Sequence, residues 1–329
     1  MKSAPSRFAL ALLAVASASS AQVPGTGDAG YPGRPVRVIV AYSPGGGVDL
    51  MSRAVAQRLT ESLGQPVLVE NRPGANGLVG AQAVARSPAD GYTLLVIDRA
   101  GLTINPSLYK SLPYDPLKDF AYTGIATELR YVLAINAGLP ILTFKEFVEY
   151  AKAKPGVLNF ASFGTGSIIH LNFEQMNAHL GIEMTHVPYK GATQAATAVI
   201  SGEASMMMSS YAGLASFVRS GRLRALAVGR PTRLSMLPDV PTLAEAGGGE
   251  DTVVPGYFTF VAPAATPRPI IMKLSDEMRR IFASPDMVER LAKAGMEPHS
   301  STPEEFAEGV KRDIARFRKL VHSAGITPQ

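Results

Sequence analysis

The sequence predicts an α/β protein of two domains, each a parallel sheet covered by helices. Three observations carry this. Short β-branched runs alternate with helical periodicity almost from end to end, as β-α-β units require, because parallel neighbours are joined by a crossover and the crossover is a helix. About 300 residues remain once an N-terminal leader is set aside, too many for one comfortable core and enough for two. The tail then changes character. After a lone strand-like run at 257–261 come Pro-punctuated residues and three helical stretches, so the chain is expected to return and pack on the first domain.

Taken in order, Lys2 and Arg7 precede an apolar run at 8–18, and Ser19-Ser20-Ala21 puts small residues at the minus-three and minus-one positions of a cleavage site. A secretory signal peptide over 1–21 is expected, followed by a Gly- and Pro-rich leader at 22–33. Strands are expected at 36–41, 67–70, 93–97, 131–135, 158–161, 184–187, 205–208 and 225–228, each lacking strict alternation, as in strands covered on both faces. Helices are expected at 49–63, 77–85, 143–152, 167–180, 192–200 and 212–220, and in the tail at 270–283, 286–294 and 303–324. In the first of these Leu50, Ala54, Leu59 and Leu63 fall near one face. Lobe 1 is then 34–128 with 257–329, and lobe 2 is 129–256. Two crossings between lobes make a hinge, since a few residues absorb the rotation while each core stays intact.

Composition narrows the function. The formal charge is +5, and without Lys2 and Arg7 30 basic face 27 acidic residues. So small an excess, scattered along the chain, together with export, argues against nucleic acid. There is no cysteine, hence no disulfide, no lipid anchor at a mature N-terminal Cys and no thiolate for a zinc site. The five histidines have no metal-ligand spacing. No metal or cofactor is expected, and the apolar runs are too short to span a bilayer. An exported protein of a bacterial periplasm fits best.

One motif stands out. Tyr42-Ser43-Pro44-Gly45-Gly46-Gly47-Val48-Asp49 joins the first strand to a helix. Backbone without side chains lets a ligand approach N–H groups, and the first helical turn leaves several such donors without partners at the positive end of the dipole. This reads as an anion cradle; the alternative is that the glycines only make a tight turn. A second loop, Gly164-Thr165-Gly166-Ser167, leaves the strand at 158–161 and opens the helix bearing His170. Thr165 and Ser167 add hydroxyls that either donate to an anion or cap the helix. Ligands of open α/β sheets sit at the carboxyl ends of strands, where both loops lie.

Together these segments resemble the Bug family, the periplasmic receptors of tripartite tricarboxylate transporters. The match includes Tyr31-Pro32, Pro44-Gly45-Gly46-Gly47 with Asp49, Val69-Glu70-Asn71-Arg72-Pro73-Gly74-Ala75, Asp90-Gly91-Tyr92-Thr93, Leu112-Pro113-Tyr114-Asp115-Pro116, His186-Val187-Pro188-Tyr189-Lys190-Gly191, Leu237-Pro238-Asp239-Val240-Pro241-Thr242 and Thr302-Pro303-Glu304-Glu305-Phe306. The resemblance implies a type II periplasmic-binding-protein fold: two doubly wound α/β lobes closing on a ligand cleft, with a C-terminal helical block on lobe 1. It implies a small carboxylic acid gripped by both loops, partly through water, and handed to membrane components of the transporter. Family ligands include di- and tricarboxylates, acidic amino acids and aromatic acids.

Departures from the family pattern suggest where identity is read. Tyr42 stands where Phe is frequent, and Val48 where Thr is. Ser209-Ser210-Tyr211 replaces an acidic residue that would suit a ligand amino group, which disfavours amino acids. Asp98-Arg99-Ala100-Gly101 replaces a small uncharged run. Arg99, and Arg130 at the first crossing, would pair with a second carboxylate if they faced the cleft; Asp98 is the other partner open to Arg99, and Gly101 stays a candidate contact. Tyr189, after a proline at a strand end, is expected either to close over the ligand or to pack with a bonded hydroxyl. His170 is placed to touch the ligand or to brace the loop, and Met206-Met207-Met208 is expected to be core. An enzyme is not expected: there is no nucleophile elbow, Walker loop or complete dinucleotide fingerprint, and a hydrolase built on Ser167 and His170 lacks an orienting acid. The remaining alternative is a receptor that presents its ligand to a sensor kinase.

Overall fold

The computed structural model describes residues 30–229, 232–234, 236–249 and 252–328. The expected signal peptide and most of the expected leader lie outside them. The chain opens with β1 (Val36–Val40), α1 (Gly47–Leu63), β2 (Val67–Asn71), α2 (Leu78–Ala85), β3 (Thr93–Asp98), α3 (Asn105–Leu108) and β4 (Phe120–Leu129). It continues through β5 (Tyr131–Asn136), α4 (Phe144–Ala153), β6 (Asn159–Ser162), α5 (Ile168–Leu180), β7 (Thr185–Pro188), α6 (Ala192–Ser201), β8 (Met206–Ser210), α7 (Tyr211–Arg219) and β9 (Leu223–Val228). It returns as β10 (Gly256–Pro263), α8 (Arg268–Ala283), α9 (Pro285–Lys293), β11 (Met296–Ser300) and α10 (Pro303–Ser323).

These strands form two sheets, ordered β11-β4-β10-β3-β1-β2 and β7-β6-β8-β5-β9. The sheets are mixed rather than parallel throughout. β1 runs parallel to β2 and β3, and β6 parallel to β7 and β8, but β10 is antiparallel to β3 and β4, and β5 to β8 and β9. The reversals sit where the chain changes lobes: β4 passes through Arg130 straight into β5, and β10 brings the chain back. Sequence reasoning took β4 for a connection and missed β11. β4 carries Gly124 and polar residues on both faces, and β11 holds Pro298, which a sheet tolerates on an edge strand.

Both faces of the first sheet are buried, which is why β1 shows no alternation. Val38, Val40, Leu94, Val96 and Phe260 pack with residues of α1 and α8 on one face. Ile39, Leu95, Ile97 and Val261 pack with Phe306, Val310 and Ile314 of α10 on the other. Met206, Met207 and Met208 are all core. α10 begins in a reciprocal cap, Thr302 Oγ1 accepting the Glu305 N–H at 3.1 Å while the Glu305 carboxylate accepts the Thr302 N–H at 2.9 Å. Its last turns extend further, placing Phe317 and Val321 in the second lobe's core with Phe160 and Phe173.

This arrangement turns the carboxyl edges of the two sheets toward each other. A Cβ on Gly166, after β6, would lie 2.6 Å from the Leu108 side chain of α3. One on Gly295, before β11, would lie 3.2 Å from Ser210 Cβ at the end of β8. Outward from the crossing strands the order is β3, β1, β2 in one lobe and β8, β6, β7 in the other, so the loop after β1 and the loop after β6 hold equivalent ranks.

Candidate functional site

Ser43 to Gly47 are all exposed at the edge of the first sheet. Gly45 has φ +86° and so needs glycine. Gly46 is the N-cap of α1, with extended backbone and no side chain capping the helix. The ladder starts with Leu50 N–H on the Gly46 carbonyl, 3.0 Å away, which leaves the N–H groups of Gly47, Val48 and Asp49 outside it. A Cβ on Gly46 would meet nothing within 4 Å, whereas one on Gly47 would stand 2.9 Å from Met296 Cε. Two of the three glycines thus have structural duties, and Gly46 borders open space.

Asp49 holds this loop rather than presenting itself to a ligand. It is buried, accepts the Gly45 N–H at 3.0 Å and a hydrogen bond from Asn71 Nδ2 at 2.9 Å, and pairs with Arg53 at 3.0 Å. Burial pushes its pKa up, but the bonds from Arg53, Gly45 and Asn71 outweigh that and hold it below the usual aspartate value. Its charge is met by Arg53, so the helix start stays receptive to an anion. Tyr42 is held by the fold: its ring packs edge-on to Phe258 and its hydroxyl accepts the Asp98 N–H at 3.1 Å.

The loop after β6 is braced internally. Ser167 Oγ caps α5 by accepting the His170 N–H at 3.3 Å, and His170 Nδ1 accepts the Gly166 N–H at 3.0 Å. The Gly164 N–H donates to Ser162 Oγ at 3.1 Å. The imidazole therefore does not address Ser167, and no nucleophile is activated here. Thr165 and His170 border a cavity of about 450 Å³ that also touches Asn76, Leu108 and Tyr109 from the first half of the chain. The glycine loop after β1 does not line that cavity; Asn71, bonded to both Asp49 and the Tyr42 carbonyl, links it to the neighbouring 71–77 loop that does.

Several of the expected contact residues have partners within the protein. Arg99 is engaged with Asp313 of α10 at 3.1 Å and lies 4.5 Å over the Tyr257 ring, bordering a separate cavity of about 330 Å³ beneath α10. Arg130 pairs with Glu297 of β11. The tail thus neutralises both arginines nominated for a second carboxylate. Gly101 is buried, with its N–H on Asp98 Oδ1 and its carbonyl accepting from Tyr114. Tyr189 donates its hydroxyl to Glu203 at 2.9 Å, in the turn before β8 and away from the carboxyl edge. Burial and that bond push its pKa up to about 12. Ser209 is buried within β8, and Ser210 is the N-cap of α7 but makes no capping bond.

Two features escaped the sequence reading. Gly191 starts α6 with no side-chain cap, repeating the strand-glycine-helix pattern of the loop after β1; Tyr189-Lys190-Gly191 held the signal, but attention went to the tyrosine. Ala75 and Asn76 take positive φ, 45° and 52°, rare for residues with a Cβ. They sit in the glycine-flanked loop after β2, the same signal one strand further out.

Comparison with known proteins gives the family. Residues 51–326 match the tripartite tricarboxylate transporter family receptor model, TctC. BugT of Bordetella pertussis is 36% identical over 296 residues, 90% of each chain. A Rhodopseudomonas palustris protein solved with adipate superposes with a TM-score of 0.81 at 30% identity, covering 91% of this chain and all of that one. MatC from the same organism, solved with bound malate, gives 0.74 at 30% identity, over 88% of this chain and all of that one. By these matches the chain belongs to the TctC family of tripartite tricarboxylate transporter receptors, whose solved relatives are solute-binding proteins rather than enzymes.

Proposed function

We propose that this receptor, exported to the periplasm by the signal peptide at 1–21, binds a small di- or tricarboxylate or aromatic acid between its lobes and delivers it to the transporter's membrane components. Lobe 1 is taken as 34–128 with 257–329 and lobe 2 as 129–256. The observation that carries this is the uncapped start of α1 beside a vacant Gly46 position, its one nearby acid already neutralised by Arg53. A carboxylate there meets main-chain donors at the positive end of a dipole. Lobe 2 contributes the uncapped starts of α6 and α7 and the Thr165 hydroxyl. Ligand held by α1 and then reached by these groups favours the closed form, by about 1.4 kcal/mol for every tenfold shift in population. The bound acids of two structural relatives, adipate and malate, support a dicarboxylate. With Arg99 and Arg130 consumed, a second carboxylate depends on helix starts and water rather than on a guanidinium.

The test is a thermal-shift and calorimetric screen with adipate, malate, citrate, benzoate and glutamate. Stabilisation by at least one non-amino acid, recovered unchanged after denaturation, supports the assignment, because ligand bound only by the native state raises its stability by mass action. A response confined to glutamate would overturn the ligand class. Loss of uptake of the labelled acid in a deletion strain tests delivery, and unaltered uptake would remove it.

A further inference from the structure

We propose that His170 and His186 are positioning residues for the 164–167 loop, holding it in its ligand-ready shape only while the pair is uncharged. This rests on the reading that the loop contacts the ligand. The two imidazoles stack with centroids 3.7 Å apart and planes 10° from parallel, and His186 stacks on Phe160 at 5.1 Å. Each ring fixes one end of the loop. His170 Nδ1 takes the Gly166 N–H directly, so its own proton resides on Nε2, facing Glu174 Oε1 at 3.5 Å. His186 Nε2 lies 2.6 Å from Ser162 Oγ, which in turn accepts the Gly164 N–H.

A proton added to His170 must enter at Nδ1 and expel the Gly166 N–H from it. Two cations stacked this closely repel, so the pair takes one proton before it takes two. Burial and the neighbouring His170 push the pKa of His186 down to about 4 against an upward pull from Glu174, whose Oε1 lies 3.5 Å from His170 Nε2. The surroundings offer few competing charges. Phe160 carries none; Tyr109 borders the same cavity; on α10 Arg316 lies 3.5 Å from Gln175, next along α5 from Glu174. Acidification therefore releases Gly166 and loosens the loop, and ligand affinity is full at neutral pH and falls by up to tenfold per unit once the proton is taken up.

The experiment follows the Gly164 and Gly166 amide resonances of the ligand-free protein between about pH 8 and pH 5, and the adipate affinity over the same range. His170→Asn keeps an acceptor near the Nδ1 position without titrating, and His186→Phe keeps the stack while removing the second charge. In the wild type the Gly166 resonance should move with pH in step with an affinity loss of about tenfold or more beyond that of His170→Asn. His170→Asn should show a stationary Gly166 resonance and only the acid's own ionisation. His186→Phe should leave the pH response of the Gly166 resonance in place, since His186 stays neutral over this range, while the Gly164 resonance moves because Ser162 has lost its ring partner. Parallel affinity profiles in wild type and His170→Asn, or a Gly166 resonance indifferent to pH in the wild type, would overturn the proposal. If adipate binds at no pH, the carboxylate assignment fails separately, and the resonances still decide the role of the imidazoles.

Discussion

Placing a carboxylate of the protein's own at Gly46 should raise stability and destroy ligand binding together, a combination that few other mechanisms produce. Gly46 has φ −77° and ψ 168°, a conformation any residue adopts, and nothing lies within 4 Å of a Cβ there. Gly46→Asp therefore folds without strain and supplies the cap that α1 lacks. Replacing a glycine N-cap by aspartate gains a few tenths of a kcal/mol, and the dipole adds about 0.3–1 kcal/mol. The variant should melt about 1–3 °C above the wild type. Its carboxylate then occupies the donors offered to the ligand and faces the incoming acid across about 4 Å, where like charges repel by about 4 kcal/mol at an effective dielectric of 20. A loss of affinity of at least about 30-fold follows, even if water screens half of that. Gly46→Ala is the control, filling space without charge and costing α1 about 0.5–1 kcal/mol. Calorimetric titration with adipate beside thermal melts reads both quantities. If Gly46→Asp bound acids as the wild type does, the start of α1 would not be the ligand's cradle.

Arg99→Ala tests whether Arg99 serves the fold or the ligand. It leaves Asp313 half-buried without its partner and strips a cation from the Tyr257 face, so it should lower stability by about 3 kcal/mol in urea unfolding, while the ratio of dicarboxylate to monocarboxylate affinity stays constant; a selective loss of dicarboxylate would return Arg99 to the site. Asp49→Asn should flatten the acid limb of the stability curve. The native pKa of Asp49 is held below the ordinary value, so its contribution is complete above about pH 4 and drains away as pH falls through the depressed native value. Unfolding midpoints between about pH 5 and pH 2 check this, and a variant that kept the wild-type slope would show that Asp49 does not stiffen the loop.

The parts of the fold legible in the sequence were those that packing writes directly. β1, β3 and β5 are β-branched because both faces are covered, and the glycine loops are visible because strand-to-helix turns at a sheet's carboxyl edge have few substitutes. β4 and β11 were illegible for a related reason. Strands beside a lobe crossing answer to a neighbour far along the chain, Tyr257 opposite Glu128 and His299 opposite Ala126, so no local period marks them. The same distance hid the fate of the arginines. Nothing near Arg99 or Arg130 in sequence announces Asp313 or Glu297, and an arginine after a strand reads as a ligand clamp until the tail is folded back on it. Tyr189 shows the limit from the other side. Its position at a strand end is a fair sign of a site, but the direction of its side chain is set by Glu203, across α6, so the backbone borders the loop while the hydroxyl leaves it. A helix start points its N–H groups along its own axis and can be read from the local sequence, whereas where a long side chain ends depends on contacts that only the folded chain supplies.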